Sequence, residues 1–494
     1  MSHFNRRQAL AGGGALAAFL PFAGACAPAR TQAAGPTDAA VMDGVRLAEL
    51  IKGGEMSASE AVEAAIGRAE AVEPRLNAIA TRTFESARER AAAMPEGELA
   101  GVPTFIKDLN DREGEPTLYG SRAFREYVAP ADDPIAAAWR KAGLISLGKS
   151  TSPEVGLTAS TEPLVTGPTR NPWDTNRSPG GSSGGAAALT AARVVPFAHA
   201  SDGGGSIRIP ASCCGLFGLK PSRGRLKHGA GDPPPVDISV SHAVTLTVRD
   251  SVAAFRINET GNYPSIGEIS GPAARRLKIA FAPEPPAGGP LDPQVRAAAE
   301  ETAELCRSLG HEVIDFQVPF DGEAFADRFL LYWASGAAEF AEAASRMTGQ
   351  PVGPEIVEPW TLHLLEVFMA RRSEMPDTIA YLQGFEARYA AMFEAFDVLL
   401  SPTVGSPPVE IGHLSPAIDG ETHMQRVTDF AGFTAPMNVA GAASMSVPLG
   451  WSAEGLPIGM MFSGKRGDDA MLFQLAYELE AARPWIEKVP PVSA

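Results

Sequence analysis

The sequence predicts an α/β protein built as one large domain, with a mixed central sheet flanked by helices. The chain has 494 residues, of which 45% are hydrophobic, and this is enough to bury a large core. Short apolar runs alternate with helical patterns from Gly101 to about Val195. Such alternation is typical of a sheet covered by helices. Further strand-like runs follow towards the C-terminus without an intervening repeat or linker.

The first 34 residues have the pattern of an export signal, which leaves residues 35–494 for the folded domain. Arg6 and Arg7 form a twin-arginine pair, and a weakly apolar segment rich in Ala and Gly follows from Ala11 to Phe22. This pattern resembles a bacterial twin-arginine signal and predicts a periplasmic or secreted protein. An alternative is lipid anchoring through Cys26, although the residues before it match a lipoprotein signal only in part.

Two helices are predicted between Ala39 and Val72, the second starting at a capping box formed by Ser57 and Glu60. Residues 320–396 form a helical region dense in aromatic residues, and we expect it to lie over part of the sheet. Later strands are predicted at Leu277–Ala282, Glu312–Val318, Val398–Ser401, Ser444–Leu449 and Ile458–Phe462.

The charge and cysteine content exclude several classes of function. The formal net charge of -16 disfavours binding to nucleic acid or to an anionic membrane surface. No apolar run reaches the roughly 18 residues that a transmembrane helix needs. The four cysteines show neither the spacing of a metal site nor that of a disulfide framework. We therefore expect a small-molecule substrate and neither a metal nor another cofactor.

The stretch GLISLGKST, from Gly143 to Thr151, matches the written form of a phosphate-binding P-loop. In a P-loop the intervening residues form an open turn whose N–H groups point at phosphates. Here they are the apolar residues Leu144 to Leu147, which predict a buried strand whose N–H groups bond within a sheet. We therefore expect no nucleotide, and we interpret Lys149 as a helix-start or ion-pair residue.

A second motif, from Gly180 to Gly184, matches the G-x-S-x-G nucleophile elbow of α/β-hydrolases. That elbow needs a buried strand directly before it. The preceding residues are RNPWDTNRSP, which contain two prolines and several turn formers. The sequence therefore does not support an elbow at this position.

Two glycine-rich segments each contain a serine, Ser182 in SPGGSSGGAAA and Ser206 in SDGGGSIRIPA. The three glycines Gly203, Gly204 and Gly205 let the backbone approach a bound group closely. Their N–H groups, beside a serine nucleophile, can stabilise an oxyanion. The two segments are thus candidates for one catalytic site.

The combination of GGSSGG, DGGGSIRIPA and GLFGLKPSRGR resembles the amidase signature family, and the upstream GVPTFIKD resembles that family's lysine motif. The spacings agree as well, with 24 residues from Ser182 to Ser206 and 75 from Lys107 to Ser182. The resemblance extends from about Asp43 to Trp485. It implies a single amidase domain that hydrolyses a carboxylic amide without a cofactor.

The resemblance also implies a role for each matching residue. Ser206 matches the nucleophile, Ser182 the bridging serine that follows a cis peptide bond, and Lys107 the general base. The backbone N–H groups of residues 203–206 match the oxyanion hole. The positions that support this network are matched by Ser183, Asp202 and Arg208.

A lysine can act as the base only when it is neutral, and its ordinary pKa is about 10.4. Burial in an apolar environment lowers that pKa. Lys107 follows an apolar run, but Lys149 does too, so the residues alone leave both open; the resemblance selects Lys107. A Ser-His-Asp site would need a histidine, and the nearest in sequence to Ser206 is His199. We interpret His199 as a loop or packing residue.

The leading hypothesis is therefore a hydrolase of small linear or cyclic amides, with sequence features similar to the branch that acts on nylon-oligomer cyclic amides. Ester or carbamate hydrolysis at the same site is an alternative. A tRNA-linked amidotransferase component is another, which the export signal and the acidic charge disfavour. A non-catalytic binding protein is disfavoured by the presence of Lys107, Ser182 and Ser206. The sequence leaves open whether the protein is a monomer or a homodimer.

Overall fold

The computed structural model describes residues 43–229 and 233–494. These residues form one compact unit. The predicted export signal, including Arg6, Arg7 and Cys26, lies outside the described residues. Within the described ranges, no helix is both long enough and apolar enough to cross a bilayer.

The described helices cover both faces of the sheets, and the first two confirm the helices predicted before residue 73. The capping box is present, because Glu60 N–H donates to Ser57 Oγ and Ser57 N–H donates to the Glu60 carboxylate. In chain order the helices are α1 (Gly44–Lys52), α2 (Ala58–Leu76), α3 (Phe84–Ala92), α4 (Pro134–Lys141), α5 (Gly184–Ala191), α6 (Arg208–Cys214), α7 (Val248–Arg256), α8 (Pro293–Ser308), α9 (Gly322–Thr348), α10 (Pro359–Arg371), α11 (Met375–Gln383), α12 (Phe385–Met392), α13 (Gly420–Ala431), α14 (Ala435–Val439) and α15 (Asp469–Ala482).

The strands form an eight-stranded mixed sheet and a smaller three-stranded sheet. They are β1 (Ile79–Arg82), β2 (Pro103–Lys107), β3 (Ile145–Ser150), β4 (Phe197–Asp202), β5 (Phe217–Lys220), β6 (Val240–Thr245), β7 (Lys278–Phe281), β8 (Glu312–Asp315), β9 (Val398–Pro402), β10 (Ser444–Trp451) and β11 (Pro457–Ser463). The order in the large sheet is β4-β6-β5-β10-β11-β9-β7-β8, and in the small sheet it is β1-β3-β2.

The large sheet confirms the predicted mixed sheet flanked by helices. Strand β7 is parallel to β8 and β9, whereas the other pairings are antiparallel. Strands β5, β6, β9 and β11 are buried at every residue, because helices cover both faces. Full burial explains why these segments are read as continuous apolar runs rather than as alternating patterns. The five predicted later strands are all present; β8 ends three residues before its predicted end.

The small sheet is a feature that the sequence did not predict as separate. Its strand β2 lies beside β4 of the large sheet without a backbone ladder. Thr104 Oγ1 donates to the Phe197 carbonyl at 3.0 Å, and the Lys107 N–H donates to His199 Nδ1 at 3.3 Å. These contacts bring the C-terminal ends of β2 and β4 together.

The aromatic helical region is where it was predicted, in helices α9 to α12. Phe325 and Phe385 pack against each other with ring centroids 4.6 Å apart, and Phe325 stacks on Phe329 at 6.0 Å. These rings join the apolar cluster that contains Leu399 of β9 and Met461 of β11. The region therefore covers one part of the large sheet.

The segment from Gly143 to Thr151 contains a buried strand, β3, as predicted. Gly148 has φ +145°, and a Cβ there would lie 2.0 Å from the Thr81 carbonyl oxygen of β1. The glycine is therefore required for strand pairing. The interpretation of Lys149 was wrong: it lies within β3, and its Nζ donates to the Asn110 carbonyl and to Thr117 Oγ1 at 2.8 Å.

We expect Gly148→Ala to lower the free energy of unfolding by about 1–3 kcal/mol, because the added methyl group must displace the backbone of β1. The measurement is denaturant unfolding of the purified protein. Gly67→Ala is the matched control, since Gly67 lies exposed in α2 and a Cβ there would have no atom within 4 Å. This control should raise stability slightly. Equal effects of the two substitutions would contradict the strand-pairing role.

Candidate active site

Lys107 is the last residue of β2, and its side chain is fully buried at the junction of the two sheets. Its Nζ lies 2.7 Å from Ser182 Oγ and 3.0 Å from Ser201 Oγ. The amine thus contacts two hydroxyl groups. No ion pair to a carboxylate is found for it among the described residues.

Burial lowers the pKa of Lys107 to about 7, and the negative charge of Asp202 opposes this shift only in part. The desolvation of a charged amine without an adjacent carboxylate is the physical cause. A substantial fraction of this amine is therefore neutral near pH 7. A neutral amine can accept a proton from a hydroxyl group that lies within hydrogen-bond distance.

Ser182 lies in the glycine-rich loop before α5, and the Gly181–Ser182 peptide bond is cis, as the resemblance implied. Its neighbour Ser183 is buried and donates from Oγ to the Ser201 carbonyl at 3.3 Å. The loop is thereby attached to the C-terminal end of β4. This attachment places Ser182 Oγ against Lys107 Nζ.

Ser206 follows β4 in the tight turn that leads into α6, and it is 7% exposed. The turn is held by Asp202, which accepts from the N–H groups of Gly205 at 2.8 Å and Ile207 at 3.1 Å. Arg208 binds both oxygens of the Asp202 carboxylate at 3.0 Å each. The structure thus brings Asp202, Arg208 and Ser206 together as predicted.

Asp202 is ionised in this site. Burial by itself would raise the pKa of Asp202, but the Arg208 charge and hydrogen bonds from Arg208 and Asn438 hold it well below its usual range. Because both side chains are completely buried, the pair is protected from solvent screening. The turn that carries Ser206 is therefore supported by a permanent charge pair.

The Gly204–Gly205 peptide is held at both ends. Thr434 Oγ1 donates to the Gly204 carbonyl, and the Gly205 N–H donates to Asp202. The Gly205 N–H is thus engaged in this structure, which differs from the prediction that it faces an oxyanion. The N–H groups of Gly203, Gly204 and Ser206 have no hydrogen-bond acceptor in the part of the chain that the structure describes.

Sequence reasoning missed two residues that hold this turn, Asn438 and Thr434. Asn438 is buried, and its side-chain amide donates to the Asp202 carboxylate at 2.8 Å and accepts from Arg208 at 2.6 Å. Thr434 packs against Gly205, where a Cβ would lie 2.4 Å from its Oγ1. The signal for Asn438 was a lone amide in the apolar stretch APMNVAGAAS, since buried amides need hydrogen-bond partners.

Two other buried lysines have a lowered pKa, so a shifted pKa does not by itself identify the base. Burial lowers the pKa of Lys149, and it lowers that of Lys220 to about 7. Lys220 Nζ donates to the Pro221 carbonyl at 2.9 Å, and Lys149 contacts Asn110 and Thr117. Within the described ranges, only Lys107 places its amine on Ser182. Geometry therefore distinguishes the three.

His199 is a packing residue, as interpreted from the sequence. It lies in β4 with no exposed surface, and its ring meets the edge of Trp139 at 5.6 Å. Burial and the nearby Lys107 charge hold the pKa of His199 well below its usual range. The ring contacts the Lys107 backbone rather than either serine.

A pocket opens beside Ser206, Gly204 and Gly181, with about 1000 Å³ of space unfilled by atoms, part of it open to solvent. Its wall is almost entirely apolar and comes mainly from the aromatic helical region. No acidic or basic side chain among the described residues lines it. The large side chains in the wall are Leu157, Ile209, Phe325, Phe329, Leu330, Trp333, Trp360, Met424 and Val427.

The aromatic rings reach the turn itself. Cβ atoms placed on Gly204 and Gly203 would lie 3.3 Å from Phe329 and 3.4 Å from Trp333. The pocket therefore begins directly at the backbone N–H groups beside Ser206. No group of three or more His, Cys, Asp or Glu side chains suited to a metal ion occurs in residues 43–229 and 233–494.

The arrangement can activate a serine hydroxyl next to a dry pocket, and comparison with known proteins agrees with this chemistry. The family model Amidase matches residues 60–473. The chain is 42% identical to "Putative amidase AmiC" of Mycobacterium tuberculosis, over 90% of this chain and 95% of that protein. It is 34% identical to 6-aminohexanoate-cyclic-dimer hydrolase of Paenarthrobacter ureafaciens, over 91% of this chain and 96% of that protein.

Solved structures give the same result. The structure of 6-aminohexanoate cyclic dimer hydrolase complexed with substrate superposes with a TM-score of 0.84 and 31% identity, covering 92% of this chain and 100% of that one. A bacterial aryl acylamidase of the amidase signature family superposes with a TM-score of 0.80 and 26% identity, covering 92% of this chain and 99% of that one. The chain belongs to the amidase signature family, whose members hydrolyse amide C–N bonds.

Proposed function

We propose that this amidase cleaves its substrate through an acyl-enzyme on Ser206, with Ser182 and Lys107 moving the proton. The observation that carries the proposal is the 2.7 Å contact between Lys107 Nζ and Ser182 Oγ, in a buried site next to the pocket that Ser206 lines. A serine hydroxyl becomes a good nucleophile only when a base removes its proton. Neutral Lys107 is that base.

In the first half of the reaction, the proton of Ser206 passes to Ser182 while the proton of Ser182 passes to Lys107. Ser206 Oγ forms a bond to the carbonyl carbon, and the carbonyl oxygen becomes an oxyanion. The N–H groups of Gly203, Gly204 and Ser206 stabilise this charge. The C–N bond then breaks, and the leaving nitrogen receives the proton back through Ser182.

In the second half, water attacks the ester formed on Ser206, and the same chain of groups takes its proton. The acid leaves and Ser206 regains its hydrogen. Asp202 and Arg208 take no part in proton transfer. They fix the turn, so that the nucleophile and the N–H groups keep their relative positions.

We further propose that the apolar pocket holds the acyl group of a small, uncharged linear or cyclic amide. The support is the absence of charged side chains from the described wall and the similarity to 6-aminohexanoate-cyclic-dimer hydrolase. The same chemistry would cleave an ester or carbamate, so a panel of aliphatic, aryl and cyclic amides with matched esters and carbamates tests the preference. Preferred cleavage of esters over amides would overturn it.

Similarity to a glutamyl-tRNA(Gln) amidotransferase component of Thermotoga maritima is lower, at 26% identity. The net charge of -16 gives little attraction for tRNA, and this disfavours that alternative. All groups of the proposed site come from one chain. A monomer and a homodimer would therefore both contain complete sites.

The first prediction concerns the nucleophile. Ser206→Ala should lower kcat by on the order of 10⁴-fold or more, because no hydroxyl remains to form the acyl-enzyme. The folded protein should keep the thermal unfolding profile of the wild type. A fluorophosphonate probe should label Ser206 in the wild type, as read by peptide mass spectrometry. Labelling of Ser182 instead would show that the roles of the two serines are reversed.

The second prediction concerns pH. Burial lowers the pKa of Lys107 to about 7, so its neutral, active form is lost below that pH and gained above it. The value of kcat/KM should therefore rise with pH through a limb centred near 7 and then reach a plateau.

Lys107→Ala should abolish this limb together with most of the rate. Lys149→Met is the matched control, because Lys149 is also buried and has a lowered pKa but does not contact Ser182. The control should keep the limb. Retention of the limb in Lys107→Ala, with its loss in Lys149→Met, would contradict the assignment.

We also propose export through a twin-arginine signal, supported by Arg6 and Arg7 and the weakly apolar segment after them. Replacing both arginines with lysine should leave uncleaved protein in the cytoplasm of a bacterial host, as measured by fractionation and immunoblotting. Arg30→Lys is the control and should leave export unchanged. Normal export of the double variant would argue against this route.

A further inference from the structure

The hydrogen-bond donors in the pocket wall are already engaged. The indole N–H groups of Trp333 and Trp360 both donate to the Leu157 carbonyl, at 3.2 and 3.0 Å. Thr428 donates to the Met424 carbonyl of its own helix at 2.9 Å. Apart from the proposed nucleophile, the described side chains of this wall therefore offer a ligand no free hydrogen-bond donor.

Thr158 is the buried polar side chain of the wall, and its hydrogen position is fixed by His423. Thr158 Oγ1 lies 2.8 Å from His423 Nε2, and His423 Nδ1 lies 3.1 Å from the Ser415 carbonyl. A carbonyl only accepts, so Nδ1 carries the hydrogen of the neutral ring and Nε2 is an acceptor. Thr158 must then donate its hydrogen to Nε2.

The environment keeps this arrangement in place. His423 is buried and stacks on Trp360 with ring centroids 4.1 Å apart. Burial lowers the pKa of His423 to about 4, and the ring is neutral near pH 7. Thr158 is 7% exposed, lines the pocket and can present only its hydroxyl lone pairs to a ligand.

We propose that Thr158 is a specificity-determining residue that accepts a hydrogen bond from an N–H group on the acyl part of the substrate. The pocket thereby selects amides whose acyl chain carries a second amide N–H over amides with a plain alkyl chain. This inference rests on the proposed function, because it takes the pocket to hold the acyl group. A buried acceptor that loses its partner is costly, so a ligand with a donor is favoured.

The test uses nitroanilides of straight-chain acids of several lengths that end in an acetamido group. Each is compared with its N-methylated analogue and with the plain alkyl compound of equal length. At the best length, wild-type kcat/KM should be about tenfold higher for the N–H compound than for the N-methyl compound. In Thr158→Val, which removes the hydroxyl at nearly constant shape, this ratio should fall to about one.

Thr158→Ser should keep the preference, because it keeps the hydroxyl. Thr428→Val is the matched control and should keep it as well, since the Thr428 hydroxyl is exposed to water at the rim. Turnover of the plain alkyl compound should be similar in all variants. Its loss in the wild type would contradict the proposed function.

A preference that persists in Thr158→Val would show that the N-methyl group acts by its bulk, and it would overturn the role of Thr158 alone. If Thr158→Val does not fold, Thr158→Ala serves in the same comparison.

Discussion

The site depends on the buried ion pair between Asp202 and Arg208. Neither side chain has any exposed surface, and the guanidinium group binds both carboxylate oxygens. Removing one partner of such a pair leaves an uncompensated buried charge, at a cost of about 3–5 kcal/mol. The pair is therefore either complete or strongly destabilising. Its completeness fixes the turn from Gly203 to Ser206, and Asn438 ties that turn to the segment that follows α13.

The second constraint is the burial of Lys107 without a carboxylate beside it. Desolvating an amine lowers its pKa and so weakens the folded state, yet the same desolvation supplies a base that is neutral near pH 7. The negative charge that would have compensated it is nearby, but Arg208 already neutralises Asp202. The two buried cations thus have different roles, since one stabilises the turn and the other is available for proton transfer.

Much of the fold and of the site was predictable from local sequence. Apolar runs located the later strands, the capping box located α2, and apolar residues at Leu144 to Leu147 excluded a P-loop in favour of β3. The glycine-serine segments identified Ser182 and Ser206, although their separate roles required the resemblance to the family. The choice between Lys107 and Lys149 also required it, because both follow apolar runs that predict equal burial.

The sequence by itself determined the elements of the fold, the family and the residue types that the chemistry needs. Only the tertiary structure decided which of these groups meet. It separated β1 to β3 into a small sheet, placed Lys107 on Ser182, and bound the Gly205 N–H to Asp202 instead of leaving it for an oxyanion. It also brought Asn438 to Asp202 and His423 to Thr158, across 236 and 265 residues of chain. Hydrogen bonds act over about 3 Å, so contacts between distant segments follow from packing and not from local pattern.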